Sequence, residues 1–364
     1  MIREVLSEIS KNFSIPKLMN AVVLTGHGGM EKLEYRSDVE VPTPKDDEVL
    51  INVKAAGINN TDINTRIGWY SKSSAENSDD GSWSGNPINF PIIQGADICG
   101  IIVGAGKSVD KKRIGERVIV RTMQEVPFNH DSYSSWTVGS ECNGGFAQYT
   151  SIRSSEAFSI ISNWSDVELG SIPCAYSTAE GLLYRSKLKD EIVFITGGSG
   201  GVGSAAIQLA KLRGSKVIAQ CSENKHKDVL RVGADKVIDR NSNIIQELGK
   251  NSVDVVIDLV AGDQWGQLLE ILKPEGRYST AGAIAGPLVE LDVRTLYLKD
   301  LTFYGCTKQP KEVFSNLISY IEQNKISPLV ANTYPLKDIK VAQDDFLSKK
   351  YTGKLVLIPP NVIQ

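Results

Sequence analysis

The sequence predicts an α/β protein of two parts, one rich in β-strands and one built on a doubly wound parallel sheet. Residues 19–163 contain several β-branched runs interrupted by Gly, Pro and Asp, as in small all-β domains. Residues 192–305 alternate short apolar runs with segments of helical periodicity, the pattern of a parallel sheet covered by helices. A glycine-rich stretch directly follows the first of these apolar runs, where a strand would turn into a helix.

The bulk properties exclude several classes of protein. The 364 residues suffice for two domains, at about 150 residues for each domain. A formal net charge of −3 offers no basic surface to nucleic acid, and no apolar run reaches the roughly 18 residues of a membrane helix. The N-terminal residues lack the apolar core of a secretory signal. Five widely separated cysteines predict reduced thiols and therefore a cytoplasmic protein.

The strand-rich part follows an N-terminal extension, residues 1–18, whose apolar residues recur at helical spacing. Residues 71–90 are polar and rich in Gly, Ser, Asn and Asp, and they predict a long loop that is either a lid or an inert insertion. Ser165 and Glu168 have the spacing of a capping box and predict the start of a helix. A further helix is predicted over residues 177–185.

The second part is predicted element by element from its alternation of apolar runs and helical segments. Strands are predicted at residues 192–196, 216–221, 236–239, 253–259, 276–281 and 301–305, and helices after residue 203, from about residue 224, and at residues 243–249, 264–272 and 311–323. A last strand is predicted at residues 354–358. Near-continuous apolar strands separated by helices indicate a sheet that is buried on both faces.

The glycine-rich stretch has the spacing G-x-G-x-x-G at Gly198, Gly200 and Gly203. Between a strand and a helix, these glycines permit a tight turn, close approach of the backbone to a pyrophosphate, and close packing of the helix on the strand. The helix N-terminus offers its N–H groups to the phosphates. The sequence therefore predicts a dinucleotide site with contacts from Gly198, Ser199, Gly200, Gly201, Val202 and Gly203.

The end of the second strand indicates which dinucleotide binds. Sites for the non-phosphorylated coenzyme usually carry an acidic residue there, but this chain has Gln220, followed by Ser222 and Lys225. A hydroxyl and an ammonium group can hold a 2′-phosphate that a carboxylate would repel. The pattern therefore favours NADP(H) over NAD(H). In the alternative interpretation, Ser222 only caps the next helix and Lys225 is a solvated surface charge.

Several segments together make the chain similar to the medium-chain dehydrogenase/reductase superfamily, and in particular to its zinc-free, quinone oxidoreductase-like branch. These segments are AAGINNTDINTRIGWY (55–70), residues 92–105, GGFAQY (144–149), the glycine-rich turn and GKLVLIP (353–359). The resemblance implies a GroES-like catalytic domain at residues 19–163 and 309–364, and a Rossmann domain at residues 164–308. It also implies that the helix residue Thr178 and the strand residue Lys354 contact the coenzyme.

The resemblance also identifies where the zinc-containing members of the superfamily hold their metal. The first ligand of those members is a Cys, which is Asn59 here, and the second is a His, which is Ala96 here. The third position matches at Cys174, and the region of their structural zinc has the single Cys142. Because catalytic zinc needs three protein ligands, the chain is expected to bind no metal.

Without a metal, the feasible chemistry is hydride transfer from NADPH to an acceptor that is already polarised by conjugation, such as a quinone or an α,β-unsaturated carbonyl. Asn59 and Asp62 match the N-x-x-D pattern of the zinc-free members, and Tyr70 matches the position of a tyrosine or proton donor in the quinone and enoyl thioester reductases. Alternatively, Tyr70 packs beside Trp69, and Asn59 and Asp62 form a turn.

These observations predict a reductase of small-molecule acceptors, with no nucleic-acid or membrane partner. Two other activities of the superfamily stay open, alcohol dehydrogenase and enoyl thioester reductase. A third possibility is an NADPH-binding protein without catalysis. The resemblance further implies a homodimer formed through an edge strand near residues 301–306.

Overall fold

The computed structural model describes residues 15–71, 87–125 and 136–361, and its contacts divide the chain into two compact units. Unit 1 comprises Met1–Cys174, Val330–Lys350 and Lys354–Gln364. Unit 2 comprises Ala175–Leu329 and Tyr351–Gly353. The predicted N-terminal helical extension and most of the predicted loop at residues 71–90 lie outside the described residues.

The helices and strands have the following bounds. The N-terminal stretch of the chain forms β1 (Leu18–Leu24), β2 (Leu33–Glu40), β3 (Glu48–Gly57), α1 (Asn60–Ile67), β4 (Ile92–Ile93), β5 (Cys99–Ala105), β6 (Arg117–Val120), β7 (Met123–Gln124), β8 (Trp136–Thr137), β9 (Tyr149–Arg153), β10 (Ala157–Ser159) and α2 (Asp166–Leu169). The central stretch forms α3 (Pro173–Arg185), β11 (Ile192–Ile195), α4 (Gly201–Leu212), β12 (Lys216–Cys221), α5 (His226–Val232), β13 (Lys236–Asp239), α6 (Ile244–Leu248), β14 (Val253–Asp258), α7 (Trp265–Ile271), β15 (Leu272–Thr280), α8 (Val293–Leu298), β16 (Thr302–Gly305) and α9 (Lys311–Glu322). The C-terminal stretch forms β17 (Val330–Pro335), α10 (Ile339–Leu347) and β18 (Lys354–Ile358).

Unit 1 is the predicted strand-rich part. Within its described residues, the largest sheet has the order β10-β6-β5-β3-β18-β17, and β9 pairs with the first half of β3. Strand β3 is central because it pairs with β5, β9 and β18, and it is buried along almost its whole length. Its last residues pair antiparallel with β18, with Gly57 opposite Val356 and Ala56 opposite Leu357. This register places the start of β18 beside the residues that follow β3.

Unit 2 contains the predicted parallel sheet. The strand order is β13-β12-β11-β14-β15-β16, and every neighbouring pair is parallel. This is the doubly wound order in which the first strand lies at the centre and ligands bind at the carboxyl ends. The central strand residues Val193, Phe194 and Ile195 are fully buried, as the continuous apolar run predicts.

The unit boundaries lie elsewhere than the predicted ones at residues 163/164 and 308/309. Residues 164–174 belong to unit 1, because Gly57 N donates to Gly170 O at 2.9 Å and Cys174 N donates to Asp97 Oδ1 at 2.6 Å. The segment with α9 belongs to unit 2. There Asn316 Nδ2, on α9, donates to Glu180 Oε1 of α3 at 3.3 Å. Composition changes along the sequence do not report such contacts between distant segments.

Several local predictions agree with the structure. Ser165 accepts a hydrogen bond from Glu168 N at 3.2 Å, and Glu168 Oε2 accepts one from Ser165 N at 2.7 Å, which is the capping box. The strands at residues 216–221, 236–239 and 354–358 have the predicted bounds. No helix among the described residues is both long enough and apolar enough to cross a membrane.

Candidate active site

The glycine-rich turn connects β11 to α4 in unit 2, and its three motif glycines are required for different reasons. A Cβ at Gly203 would overlap the carbonyl oxygen of Gly197, and a Cβ at Gly198 would lie 3.0 Å from the Cβ of Ala219. A Cβ at Gly200, in contrast, would meet only Gly197 O, at 3.5 Å. Packing within the protein therefore explains Gly198 and Gly203 but not Gly200. Close approach of a bound phosphate would explain the third glycine.

The N-terminus of α4 is suited to an anion. The N-cap residue is Gly200, which has no side chain to accept a hydrogen bond from the first N–H groups of the helix. Gly201 and Val202 are half-buried, and the helix runs for 12 residues with its apolar face on the sheet. Uncapped N–H groups and the positive end of the helix dipole favour a phosphate at this position. The turn therefore fits the pyrophosphate of a dinucleotide coenzyme.

The carboxyl end of β12 contains the residues that were predicted to select the coenzyme. Gln220 is buried, and its Nε2 donates to Gln264 Oε1 at 3.0 Å. Ser222 is half-buried and its side chain makes no capping bond to the turn that follows. Lys225 is 7% exposed, and its ammonium donates to Tyr351 O at 2.6 Å. The alternative interpretation of a helix cap and a solvated lysine therefore does not describe these two residues.

The segment Tyr351–Gly353 belongs to unit 2, which the sequence did not indicate. Besides Tyr351 O, which accepts from Lys225, the segment contacts the glycine-rich turn through Gly353 N, which donates to Ser199 O at 3.0 Å. Thr352 Oγ1 donates to Asp228 Oδ2 at 3.2 Å. A short polar segment more than 120 residues from its partners carries no pattern that would have predicted these contacts. Thr178, also predicted here, is half-buried on α3 of unit 2.

The first group of predicted catalytic residues lies at the start of α1 in unit 1. Asn59 precedes the helix, and its backbone N–H donates to Asp62 Oδ2 at 2.8 Å. The other carboxylate oxygen of Asp62 accepts from Ala96 N at 3.2 Å. Both side chains are buried. Asp62 therefore fixes the start of α1 against the segment that contains Ala96.

A buried ion pair completes this group of residues. The Lys354 ammonium donates to Asp97 Oδ2 at 2.9 Å, to Ile58 O at 2.9 Å and to Asn59 Oδ1. Asn59 Nδ2 donates to the same Asp97 oxygen at 2.9 Å. Cys174 N donates to the other Asp97 oxygen. We call Asn59, Asp62, Asp97 and Lys354 the polar cluster.

The hydrogen bonds within the polar cluster limit which of its side chains can bind a ligand. All three N–H donors of Lys354 and the amide of Asn59 already have partners within unit 1. The predicted contact of Lys354 with a coenzyme would therefore require one of these bonds to be exchanged. The arrangement is instead suited to holding the start of α1, and with it the residues that follow that helix, in one position.

The residues present do not fit a zinc ion. Asn59 and Ala96 stand where two ligands would be needed, and the Lys354 ammonium already neutralises the charge of Asp97. Along residues 15–71, 87–125 and 136–361, no group of three or more His, Cys, Asp or Glu side chains could hold a metal. Cys174 therefore lacks the companion ligands that a zinc site requires.

Tyr70 lies just beyond the C-terminus of α1, which ends at Gly68 in the left-handed conformation. Its ring packs edge-on against Trp69 with centroids 5.5 Å apart, and its hydroxyl oxygen accepts from Asn64 Nδ2 at 3.4 Å. Burial raises the pKa of Tyr70 to about 12. The phenol is therefore protonated at neutral pH and can donate a proton or a hydrogen bond to an anionic oxygen or carbon.

Asp62 differs from an ordinary surface carboxylate. Burial raises its pKa to about 7, and the charge of Asp97 acts in the same direction, while the hydrogen bond from Asn59 N opposes the shift. A group with such a pKa exchanges a proton near neutral pH.

Comparison with known proteins identifies a related family for each of the two units. Residues 45–162 match the family of alcohol dehydrogenase GroES-like domains, and residues 201–323 match the family described as zinc-binding dehydrogenase. The chain is 30% identical to the quinone oxidoreductase of Sus scrofa over 94% of its own length and 98% of the relative. It is 28% identical to the chloroplastic NADPH-dependent alkenal/one oxidoreductase of Arabidopsis thaliana, over 96% and 82% of the two chains.

A solved structure extends the comparison to the fold. A protein of Sinorhizobium meliloti 1021, named provisionally as an alcohol dehydrogenase, superimposes with a TM-score of 0.88. It is 43% identical, and the match covers 95% of this chain and 98% of the other. The GroES-like and Rossmann parts that were predicted from the sequence are thereby confirmed.

Proposed function

Because the chain belongs to the medium-chain dehydrogenase/reductase superfamily, we propose that it is a zinc-independent oxidoreductase that uses NADPH to reduce a quinone or an α,β-unsaturated carbonyl. The observation that carries the proposal is the polar cluster, in which the amide of Asn59 stands at a metal-ligand position and the Lys354 ammonium pairs with Asp97. The names of the porcine and Arabidopsis relatives support the same acceptor classes. NADPH, when bound, supplies the hydride.

The residues of unit 2 are proposed to hold the coenzyme. The glycine-rich turn and the N-terminus of α4 would bind the pyrophosphate through backbone N–H groups, with Thr178 near the nicotinamide end. Ser222 and Lys225, at the carboxyl end of β12, would bind the 2′-phosphate. The neutral Gln220 between them and the turn supports NADPH, since a carboxylate at this strand end would repel the phosphate dianion.

In unit 1, we propose Tyr70 as the group that donates a proton or hydrogen bond to the reduced acceptor. Its raised pKa keeps the phenol protonated, whereas the side chains of Asn59 and Asp62 hydrogen-bond within the polar cluster. Asn59 and Asp62 are proposed as positioning residues, because their side chains hold the start of α1 rather than facing a ligand. Lys354 is proposed to act with them through Asp97.

The test is to follow the absorbance of NADPH against a panel of quinones, enones, aldehydes, enoyl thioesters and simple alcohols, together with metal analysis of the purified protein. We expect oxidation of NADPH by quinones or enones, an activity that survives a chelator, and no stoichiometric zinc. Chelator-sensitive oxidation of simple alcohols would instead identify an alcohol dehydrogenase, the class named for the Sinorhizobium structure. Tight binding of NADPH without turnover of any acceptor would identify a non-catalytic protein.

We propose that the enzyme is a homodimer formed along the β16 edge of unit 2, and that it acts in the cytoplasm. In the chain, this edge strand is preceded by α8 and a segment that exposes large apolar side chains, of which Leu288 is 91% exposed and Leu298 is 70% exposed. We propose that these side chains form one apolar patch, which is typical of protein interfaces.

The double substitution Leu288→Asp and Leu298→Asp tests the homodimer. We expect it to halve the mass that light scattering measures after size exclusion, because two charges from each protomer would be buried in the interface. Ile161→Asp is the matched control, since Ile161 is 84% exposed but lies in unit 1. An unchanged mass in the double variant, or a monomeric wild-type protein, would contradict the proposed interface.

A further inference from the structure

The order of strands in the unit 2 sheet reverses between β11 and β14. From β11 the chain continues to β12 and β13 on one side of the sheet, and it then returns to β14 on the other side. Open parallel sheets bind ligands at the carboxyl ends of the strands where the order reverses in this way. Ser222 and Lys225, on the β12 side, are proposed to bind the phosphate of the adenosine half. We therefore expect residues 259–262, which follow β14 and are called the β14 loop, to lie near the nicotinamide half.

A single buried carboxylate holds the β14 loop. Asp258, the last residue of β14, is fully buried. Its Oδ1 accepts from Val260 N at 2.9 Å and from Ala261 N at 3.1 Å. Leu259 N donates to Thr196 Oγ1 at 2.8 Å, and this hydroxyl in turn donates to Asp258 Oδ1 at 2.7 Å. Three consecutive N–H groups of the β14 loop are therefore bonded to Asp258 itself or to the hydroxyl that it holds.

The second carboxylate oxygen of Asp258 is bonded to the neighbouring strand. Tyr278, on β15, donates to Asp258 Oδ2 at 2.6 Å, and its ring packs edge-on against Trp265 with centroids 5.8 Å apart. Burial raises the pKa of Tyr278, and the charge of Asp258 acts in the same direction, so the phenol keeps its proton and remains the donor. Asp258 thereby connects the β14 loop both to β15 and to the residue that follows β11.

The β14 loop has a strained backbone. Ala261 has φ 55° and ψ −140°, close to a combination that essentially only glycine adopts. Val260 and Ala261 are half-buried, so this part of the loop is accessible to a ligand. The loop also lies against the glycine-rich turn, because a Cβ at Gly197 would be 3.4 Å from Val260 Cγ2. Such strain persists only where the surroundings impose it, and it is concentrated at ligand-binding and active sites.

We propose that Asp258 is a positioning residue for the nicotinamide half of the coenzyme, and that it acts by keeping the β14 loop in its strained conformation. The inference rests on the proposed function for the class of coenzyme. The hydrogen bonds to Asp258 offset the strain at Ala261. Without them the loop would relax to backbone angles that alanine prefers, and it would no longer match the nicotinamide half. The adenosine half would keep its contacts on the other side of β11.

The probes are NADPH and 2′,5′-ADP, which lacks the nicotinamide half, and their binding to the full chain is measured by isothermal titration calorimetry. For Asp258→Ala we expect the Kd of NADPH to rise by about 10- to 100-fold, because the N–H groups of the β14 loop lose their acceptor. The Kd of 2′,5′-ADP should change less than about 2-fold. The fluorescence of bound NADPH, which reports the surroundings of the nicotinamide, should shift towards that of free NADPH.

Ala261→Gly provides the decisive comparison, because glycine adopts the native backbone angles without a steric penalty. Alone, this change should leave the Kd of NADPH within about 2-fold of wild type. Combined with Asp258→Ala, it should restore NADPH binding by at least about 5-fold, since the strain that drives the loop out of its native conformation is removed. If Asp258 only stabilised the fold, glycine at this position would restore nothing.

Two further variants control for effects on the fold. Asp254→Ala removes the other carboxylate of β14, which pairs with Lys273 at 2.8 Å near the opposite end of the strand, and it should leave both Kd values unchanged. Thr196→Val keeps the shape of the side chain but removes the hydroxyl that joins Leu259 to Asp258. It should raise the Kd of NADPH by about 3- to 10-fold, and it provides the test if Asp258→Ala does not fold.

The outcomes separate this inference from the proposed function. If wild type binds NADPH and the Asp258 and Thr196 variants bind it equally well, the role of Asp258 is refuted and the use of NADPH stands. Equal weakening of both probes, or no restoration by Ala261→Gly, would also refute that role. If wild type binds NADH more tightly than NADPH, the NADPH part of the proposed function fails. The same variants measured with NADH and 5′-AMP then decide the role of Asp258.

Discussion

Tyr70→Phe is expected to lower kcat for reduction of an enone or quinone by about 100-fold, at the lower end of what a general acid contributes. The ring and its contact with Trp69 would remain, but the buried hydroxyl that receives the Asn64 hydrogen bond would be lost. The measurement is stopped-flow or steady-state oxidation of NADPH under saturating acceptor. Because the change removes only the proton donor, the Kd of NADPH should stay within about 2-fold of wild type.

Trp69→Phe is the matched control for Tyr70. Trp69 is 40% exposed and contacts the Tyr70 ring edge-on, so its replacement tests packing without touching the phenol. If Trp69→Phe lowered kcat as strongly as Tyr70→Phe, the alternative in which Tyr70 is a packing residue would be favoured. Full activity of Tyr70→Phe would remove Tyr70 from the chemistry altogether.

Lys354→Met is expected to lower the free energy of unfolding of unit 1 by roughly 3–5 kcal/mol, the cost of leaving a buried partner charge unpaired. Asp97 is fully buried, and Lys354 is 3% exposed, so water cannot replace the ammonium. The measurement is the midpoint of urea unfolding, together with hydrogen exchange at the Ile58 amide, which donates to Leu355 O at 2.9 Å.

Two companion variants check this interpretation of the polar cluster. Lys45→Met removes a lysine whose side chain is 82% exposed and 3.8 Å from Glu48, and its effect should be below about 1 kcal/mol. Asp97→Asn combined with Lys354→Met removes both charges and should be less destabilised than Lys354→Met alone. A double variant as unstable as the sum of its singles would mean that the pair does not interact as the geometry indicates.

The sequence was sufficient for the second part of the fold because the physical signals there are local. The central strands are buried, so β11 appears as a continuous apolar run and β14 as a nearly continuous one, and the glycine spacing marks the turn after β11. Local signals also predicted the capping box at Ser165. They could not determine the unit boundaries, because these depend on which distant segments pack together.

The candidate site could be predicted only as a set of residue types. The segment at residues 59–70 indicated Asn59, Asp62 and Tyr70, but not that the first two have their hydrogen-bonding groups committed within the polar cluster. That commitment depends on the register of β18 against β3, which brings Lys354 to Asn59 across 295 positions of sequence. No periodicity in either segment encodes that pairing.

The placement of Tyr351–Gly353 in unit 2, between two stretches of unit 1, has a consequence for how this protein can be divided. A gene fragment that encodes only residues 175–329 would produce a nucleotide-binding half without the carbonyl group that receives the Lys225 ammonium and without the N–H group that donates to Ser199. Recombination at the ends of residues 175–329 would therefore separate the glycine-rich turn from a segment that hydrogen-bonds to it. Evolution or protein engineering can exchange unit 2 as an intact module only if the tripeptide Tyr351–Gly353 is transferred together with residues 175–329.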